Sequence, residues 1–482
     1  MTKPLFPQVQ ARKPQRPPSL NSSKLSIYLL LTFVCCFVLF HSLRTPLFSP
    51  ASAPSFSSWT ILQDWQSLII NTTLILKNYT NQLDSLAFKL QESVTFLPLK
   101  DLRYANTPQD DHTWFMSSLN DTIEKGEVQH QQFPSNSSKG RLLCIKGHDD
   151  HDGARNSYAL AWPEALPRNA TLMKGLSYVL NNHYDYDNLW HGLSAMASFV
   201  AWHIKNECST PPSRWILYHW GELRYNVGSW LKNLMEATYS GTLNIQTFES
   251  FSDDEPICFE KAVVMRHNVG GMSTENLLKV FDLIRCRARI YCNVSLEGNF
   301  EGRIGMTILM RTGTRSFRNE SVVVRIFGGE CRKVKGCRLV VAQSSNLTFC
   351  EQVQLMSSTD ILISPHGAQL ANLFLMDRNS SVMEFFPKGW LKLAGVGQFV
   401  FQWMASWCGM KHQGTWHDPD GAYCQYTEDD RRCMTLYKKG TIGYNETHFS
   451  RWGANVLNEV KRLKLEGVSQ GRFTSSHGCI CA

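Results

Sequence analysis

The segment Asp360-Ile-Leu-Ile-Ser-Pro365-His366-Gly367-Ala368-Gln369-Leu-Ala-Asn372 decides how this chain is built. Asp360–Pro365 is a short aliphatic run of strand length, and Gln369–Met376 follows a helical pattern. Upstream, Met306–Arg311 and Arg338–Gln343 read as two more strands separated by a helix over Glu320–Lys333, and a helix over Thr348–Ser358 leads into Asp360. Downstream, Ser381–Phe386 reads as a fourth strand. Parallel strands can be joined only through a crossover, so strands alternating with helices at this spacing predict a doubly wound α/β lobe.

The first half repeats the theme less regularly. The run RLLCIKG from Arg141, Trp215–Trp220 and Lys261–His267 are of strand length, with helical patterns over Asn188–Ile204 and Val227–Thr238. These predict a second lobe built on a parallel sheet covered on both faces. The expected architecture is α/β, with two Rossmann-type lobes facing each other across a cleft. The lobes cover 141–297 and 298–465, the hinge falls at Gly298–Gly305, and 466–482 is a tail.

The N-terminal part predicts a membrane topology. Lys3, Arg12, Lys13, Arg16 and Lys24 precede an uncharged run, Leu25–Leu43, and no acidic residue occurs before Asp64. Nineteen residues rising about 1.5 Å each match a bilayer's hydrocarbon core, so 1–24 reads as a cytosolic tail and 25–43 as a signal anchor. Much of the net charge of +8 is therefore a topology signal and does not mark a nucleic-acid surface. Residues 44–140 read as a luminal stem. They hold a Pro/Ser/Ala-rich linker, then Ile61, Trp65, Leu68, Ile75, Tyr79, Leu86 and Leu90 at helical spacing, then a polar, mostly irregular stretch over 100–140. The stem helix either self-associates or lies on its own catalytic region.

Ten Asn-x-Ser/Thr sequons follow the anchor, at Asn71, Asn78, Asn120, Asn136, Asn169, Asn293, Asn319, Asn346, Asn379 and Asn445. Thirteen of the fifteen cysteines also lie beyond it. Both counts suit an oxidising, glycosylating compartment. Pairs at short spacing (Cys286 and Cys292, Cys331 and Cys337, Cys479 and Cys481) are candidates to bridge, and an odd count leaves one thiol over.

The chemistry gathers at two strand ends. His366-Gly367-Ala368-Gln369 follows a buried strand and opens a helix, where free amides attract phosphate, glycine permits close approach and His366 can donate to a phosphate or ribose oxygen. Arg311-Thr-Gly-Thr-Arg315 ends the lobe's first strand, and guanidinium forks there suit a diphosphate. Arg318 reads as a solvated loop residue. Glu384, closing its strand, can accept from a ribose hydroxyl. In the first lobe, Asp187 and His191 are the candidate bases, one turn apart if a helix begins near Asp187, with Asn188 holding either in place. A helix cap for Asp187 and a core histidine for His191 are the bland readings of the same letters.

The series Arg311-x3-Arg315-x3-Asn319-Glu320, the strand ending in His366-Gly367-Ala368, Val382-Met-Glu384-Phe-Phe-Pro387 and Tyr186-Asp-Asn188-x2-His191 resembles glycosyltransferase family 61, closest to its plant members. The resemblance covers roughly 141–463; Gln369 departs from it, standing where many members have glycine. It implies a GT-B fold, inversion at the anomeric carbon and a luminal site in a type II Golgi membrane protein. A UDP-sugar is then the donor substrate, with xylose or arabinose the expected sugar. A glycan or glycoprotein is the acceptor, nucleic acid is not a partner, and homo- or hetero-oligomers are open. N-acetylglucosamine transfer and a catalytically silent luminal scaffold are the alternatives. Acidic clusters at Asp149-Asp150-His151-Asp152, Asp185/Asp187, Asp418/Asp420 and Glu428–Asp430 invite a metal. With arginines in the metal's place, no essential ion or cofactor is expected.

Overall fold

The computed structural model describes residues 58–99, 124–182, 185–265, 271–296, 303–390, 395–426, 430–466 and Cys479. The predicted tail and anchor, and the predicted hinge before Arg303, lie outside these residues. Among the described residues no helix is long and apolar enough to cross a membrane. Helix α1 (Ser58–Glu92) crosses the boundary, at Asn81–Gln82, between the chain's two compact units, and both sheets belong to the second unit.

The first sheet has eight strands: β1 (Leu97–Pro98), β2 (His130–Phe133), β3 (Leu142–Lys146), β4 (Ser157–Ala161), β5 (Thr171–Asn182), β6 (Arg214–His219), β7 (Glu222–Arg224) and β8 (Ile257–Met265). Their order is β1-β4-β3-β8-β5-β6-β7, with β2 also on β8. Only β5–β6 and β5–β8 are parallel; the remaining pairs are antiparallel. The expected parallel Rossmann-type lobe is thus corrected to a mixed sheet with a three-stranded parallel centre. The cause is local. Residues 147–156 join β3 to β4 as an antiparallel pair, which needs no crossover helix. Strand β2 falls within 100–140, the stretch read as mostly irregular, so the ordered body begins before Arg141. Helices α2 (Leu189–Lys205), α3 (Ser229–Tyr239) and α4 (Thr274–Tyr291) pack together beside this sheet.

The second sheet is wholly parallel: β9 (Ile304–Met310), β10 (Cys337–Gln343), β11 (Ile361–Pro365), β12 (Ser381–Phe386) and β13 (Lys411–His417), in the order β10-β9-β11-β12-β13. Helices α5 (Glu320–Arg332) and α6 (Phe349–Ser357) make the first crossovers. Their starts are set locally: Asn319 caps α5, and Thr348 and Glu351 form a reciprocal capping box on α6. Strand β13 escaped sequence reading because KHQGTWH is polar and lies at a sheet edge, with Trp416 its one buried residue. Beyond α7 (Val400–Trp407) and α8 (Arg431–Lys439), helix α9 (Glu446–Leu465) returns to pack on α5.

The helix expected over Gln369–Met376 is instead a 3-10 segment, Ala368–Leu375, buried throughout from Leu370 to Leu375. The Asn372 side-chain amide donates to the Gln369 carbonyl at 3.1 Å, engaging an acceptor that an α-helical ladder would use.

The two sheets share one apolar core. Leu193, Leu234, Phe281 and Ile284 join Phe349, Leu370, Phe374 and Met404 in a single buried cluster. Arg285 donates to the Phe374 carbonyl at 2.7 Å, Arg289 pairs with Asp377 at 2.8 Å, and Trp230 donates to Asn372 at 3.1 Å. A disulfide between Cys292 and Cys350 ties the end of α4 to α6. Cys331–Cys337 pairs as its spacing suggested; Cys292 does not bond Cys286, and Cys479 bonds Cys208, not Cys481. Cys144–Cys258 and Cys424–Cys433 are also bridged, and among the described residues the free thiol is the buried Cys408.

Candidate active site

In a parallel sheet of this order the crossovers leave β9 and β11 toward opposite faces, which opens a crevice between their C-terminal ends. Arg311 follows the last residue of β9, and His366 follows the last residue of β11. A cleft of about 390 Å³ lies there, lined by Arg311, Arg315, His366, Gly367 and Ala368. Asn188, Trp190 and His191 from the start of α2 line it as well, as do Trp390, Phe401, Met434 and Lys438. Among the described residues no Asp or Glu lines it.

The arginines are positioned by different means. Arg311 donates to the Gln369 side-chain oxygen at 3.0 Å and to the Thr314 hydroxyl at 3.3 Å. Arg315 sits at φ 61°, a left-handed conformation unusual for a side chain of this size, held by its amide's bond to the Gly440 carbonyl at 2.8 Å. Its guanidinium lies 5.0 Å from the Trp390 ring centre. Burial pushes the Arg315 guanidinium down to about 10, and the neighbouring Arg311 charge pushes the same way. Burial also lowers Arg311. Among the described residues neither has a carboxylate within salt-bridge distance. Two desolvated cations without a counter-charge form a receptor for an anion, since a dianion would relieve both the burial cost and their mutual repulsion.

Gly367 is needed for space. A Cβ there would stand 2.3 Å from Arg311 Nη1 and 2.4 Å from Gln369 Oε1. Gln369 donates to the Pro365 carbonyl at 2.8 Å while accepting from Arg311, so it orients the arginine from a nearly buried position. Gln369, standing where the family the motifs resemble often has glycine, thus gives Arg311 a hydrogen-bond partner.

Glu384 requires a correction. It is completely buried and does not line the cleft, because both its oxygens are engaged: Oε1 with His366 Nδ1 at 2.6 Å and Oε2 with His412 Nε2 at 2.9 Å. Its carboxylate holds His366 and His412 and presents neither oxygen to the cleft, where a ribose hydroxyl was expected to meet it. Burial favours the neutral carboxyl, yet the hydrogen bonds from His366 and His412 outweigh it and hold Glu384 below the ordinary carboxylate range. The His366 ring is also stacked on Phe386 at 4.6 Å, so its position is doubly constrained.

Of the two candidate bases, His191 lines the cleft; Asp187 is exposed and is not part of the lining. The cap of α2 is Asn188, whose side chain accepts from the amides of Trp190 at 3.0 Å and His191 at 3.4 Å. The expected helix start moves by one residue, and Asn188 fixes the turn that carries His191. Arg318 is tied to Asp418 at 3.3 Å, away from the cleft lining.

Trp390, Lys438 and His412 were not singled out from sequence. They lie on segments distant from either motif, and no spacing rule links them to Arg315 or Glu384. One residue in each of three acidic clusters has a structural occupation: Asp185 pairs with Arg224, Asp418 accepts from the Gly443 amide, and Asp430 caps α8. Asp149, Asp150 and His151 lie close together, with His151 exposed.

The family model described as Glycosyltransferase 61 matches residues 165–383, so the family resemblance stands as read from the motifs. The EGF domain-specific O-linked N-acetylglucosamine transferases of Rattus norvegicus and Gallus gallus are each 24% identical over 214 residues, 41% of this chain and 38% of theirs. The protein O-linked-mannose beta-1,4-N-acetylglucosaminyltransferase 2 of Homo sapiens is 30% identical over 95 residues, 20% of this chain and 16% of its own. The chain therefore spans 38% of the length of the first of these relatives.

Proposed function

We propose, with the glycosyltransferase 61 family as premise, that this chain moves a sugar from a UDP-sugar to a hydroxyl of a glycan or glycoprotein, with inversion at the anomeric carbon. The observation that carries the reading is the pair of half-buried arginines at the crevice between β9 and β11, with no carboxylate beside them among the described residues. The acceptor oxygen attacks the anomeric carbon and forms the new glycosidic bond as the bond to the β-phosphate breaks. The acceptor proton passes to a cleft base, for which His191 is the choice, and the departing UDP carries away the electron pair. Arg311 and Arg315 stabilise the charge that builds on the diphosphate. His366, oriented by Glu384, faces the donor, and the chain's own cations take the part a metal would otherwise play.

The reading extends to the whole chain. The two-sheet body with its cleft supports a GT-B-like arrangement. The basic tail, the uncharged run 25–43, the sequons and the disulfides support a type II anchor with a luminal, Golgi-resident body. For the donor sugar, the names of the matched relatives favour N-acetylglucosamine, whereas the likeness to plant members favours xylose or arabinose.

Calorimetric titration of the purified chain with UDP tests the core of this proposal. Binding in the micromolar range is expected, and no binding at millimolar UDP overturns it. Donor hydrolysis measured with UDP-N-acetylglucosamine, UDP-xylose and UDP-arabinose then selects the sugar. Background rates with all three, despite UDP binding, would favour the silent scaffold.

A further inference from the structure

Helix α1 carries a pattern unrelated to the cleft. Leu62, Ile69, Leu76, Leu83 and Leu90 recur every seventh residue. Taken as heptad position a, they place Trp65, Thr72, Tyr79 and Leu86 at position d. A strict seven-residue repeat drifts around a straight helix, and it stays on one seam only when two helices supercoil about each other. The seam is uncovered: Trp65, Ile69, Leu76, Tyr79, Leu83 and Leu86 are all more than half exposed. Thr72, the polar member, donates its hydroxyl to the Leu68 carbonyl at 2.7 Å, so it can enter a seam without seeking another partner.

We infer that α1 pairs along this seam with α1 of a second copy of this chain, forming a parallel two-stranded coiled coil. Three observations select a second copy. From Trp65 onward, Lys89 is the only charged residue at the flanking e and g positions, so identical helices meet almost no like-charge repulsion. The helix is 35 residues long, five heptads, enough for a stable seam. The sequon asparagines Asn71 and Asn78 are seven apart and both fall at position c, outside the seam, so a glycan on either would point away from the partner. The parallel direction follows from the predicted anchor, which would place both chains in the same membrane with their helices starting on the same side.

The test is made on the full chain in mild detergent. Leu76→Cys puts a thiol at a seam position, and Asn81→Cys puts one at position f on the opposite side. Under a mild oxidant, L76C is expected to yield a disulfide-linked dimer on non-reducing gels well above the wild-type background, and N81C is not. Equal cross-linking at both positions, or at neither, overturns the pairing. The wild-type particle is also expected to have the mass of two chains, falling to one in Ile69→Lys/Leu76→Lys. A monomeric wild type, or a dimer that survives the two lysines, overturns it as well. A helix that lies on a membrane surface or on its own catalytic body gives the monomeric result. None of these readouts depends on UDP binding, so this inference and the proposed activity fail separately.

Discussion

The eight-stranded sheet mixes parallel and antiparallel pairs and supplies the cleft with one helix start, Asn188 to His191. The five-stranded sheet is wholly parallel, and its half of the chain supplies the arginines, His366, the glycine turn and the aromatic wall. The difference shows what a parallel sheet contributes. Each strand of such a sheet ends on the same edge, so residues distant in sequence arrive side by side where the crossovers diverge. A hairpin-rich sheet sends strand ends to both edges and builds a broad platform. That platform is welded to the second sheet by a shared core, buried arginines and the Cys292–Cys350 bridge.

The comparison is sharpened first by cutting the weld. Cys292→Ser/Cys350→Ser releases a loop with a sequence separation of 58, and chain entropy alone predicts a loss of about 4 kcal/mol of stability. Denaturant titration should show a lower midpoint. An unchanged midpoint would mean that the apolar core alone joins the sheets.

Next comes the parallel edge itself. Arg315→Ala should lower kcat/KM about 100-fold, and UDP affinity should fall with it, because a charge-assisted contact is lost in both ground and transition states. Unchanged UDP affinity would remove the clamp role.

Glu384→Gln tests whether the buried carboxylate works through His366. We expect kcat to fall about 30-fold while donor KM changes little, because Glu384 touches no ligand itself. Its lowered folded pKa adds a pH signature. The stability it contributes is present above its ordinary value of 4.5 and is lost as pH falls through the folded value. Thermal midpoints measured from pH 7 to pH 3 should therefore fall more steeply in wild type than in E384Q.

The smallest effect is expected of Gly367→Ala, about 10-fold in kcat/KM, because the added methyl displaces the flexible ends of Arg311 and Gln369 and leaves the backbone in place. An unaffected variant would show that this arginine's exact position is unimportant.

Much of the second lobe was legible because its signals are local. Aliphatic runs of strand length, a capping box at Thr348 and glycine after a strand each act within a few residues. The first sheet was misread because apolar runs reveal strands without revealing direction, and direction depends on whether residues 147–156 form a turn or a crossover. Glu384 was misassigned for a related reason: a carboxylate closing a strand looks available until His412, from a neighbouring strand, is seen to occupy its second oxygen.

Composition and short-range pattern, then, determined the alternating second lobe, the two arginines, the His-Gly-Ala turn and the stem helix, since each is governed by periodicity or by chemistry between near neighbours. Only the tertiary structure decided that Arg315 lies against Trp390, that Glu384 is sealed between two histidines, that His191 and not Asp187 reaches the cleft, and which cysteines pair. Those facts depend on which strands are neighbours and what each buried group meets there, and no spacing along the chain encodes them.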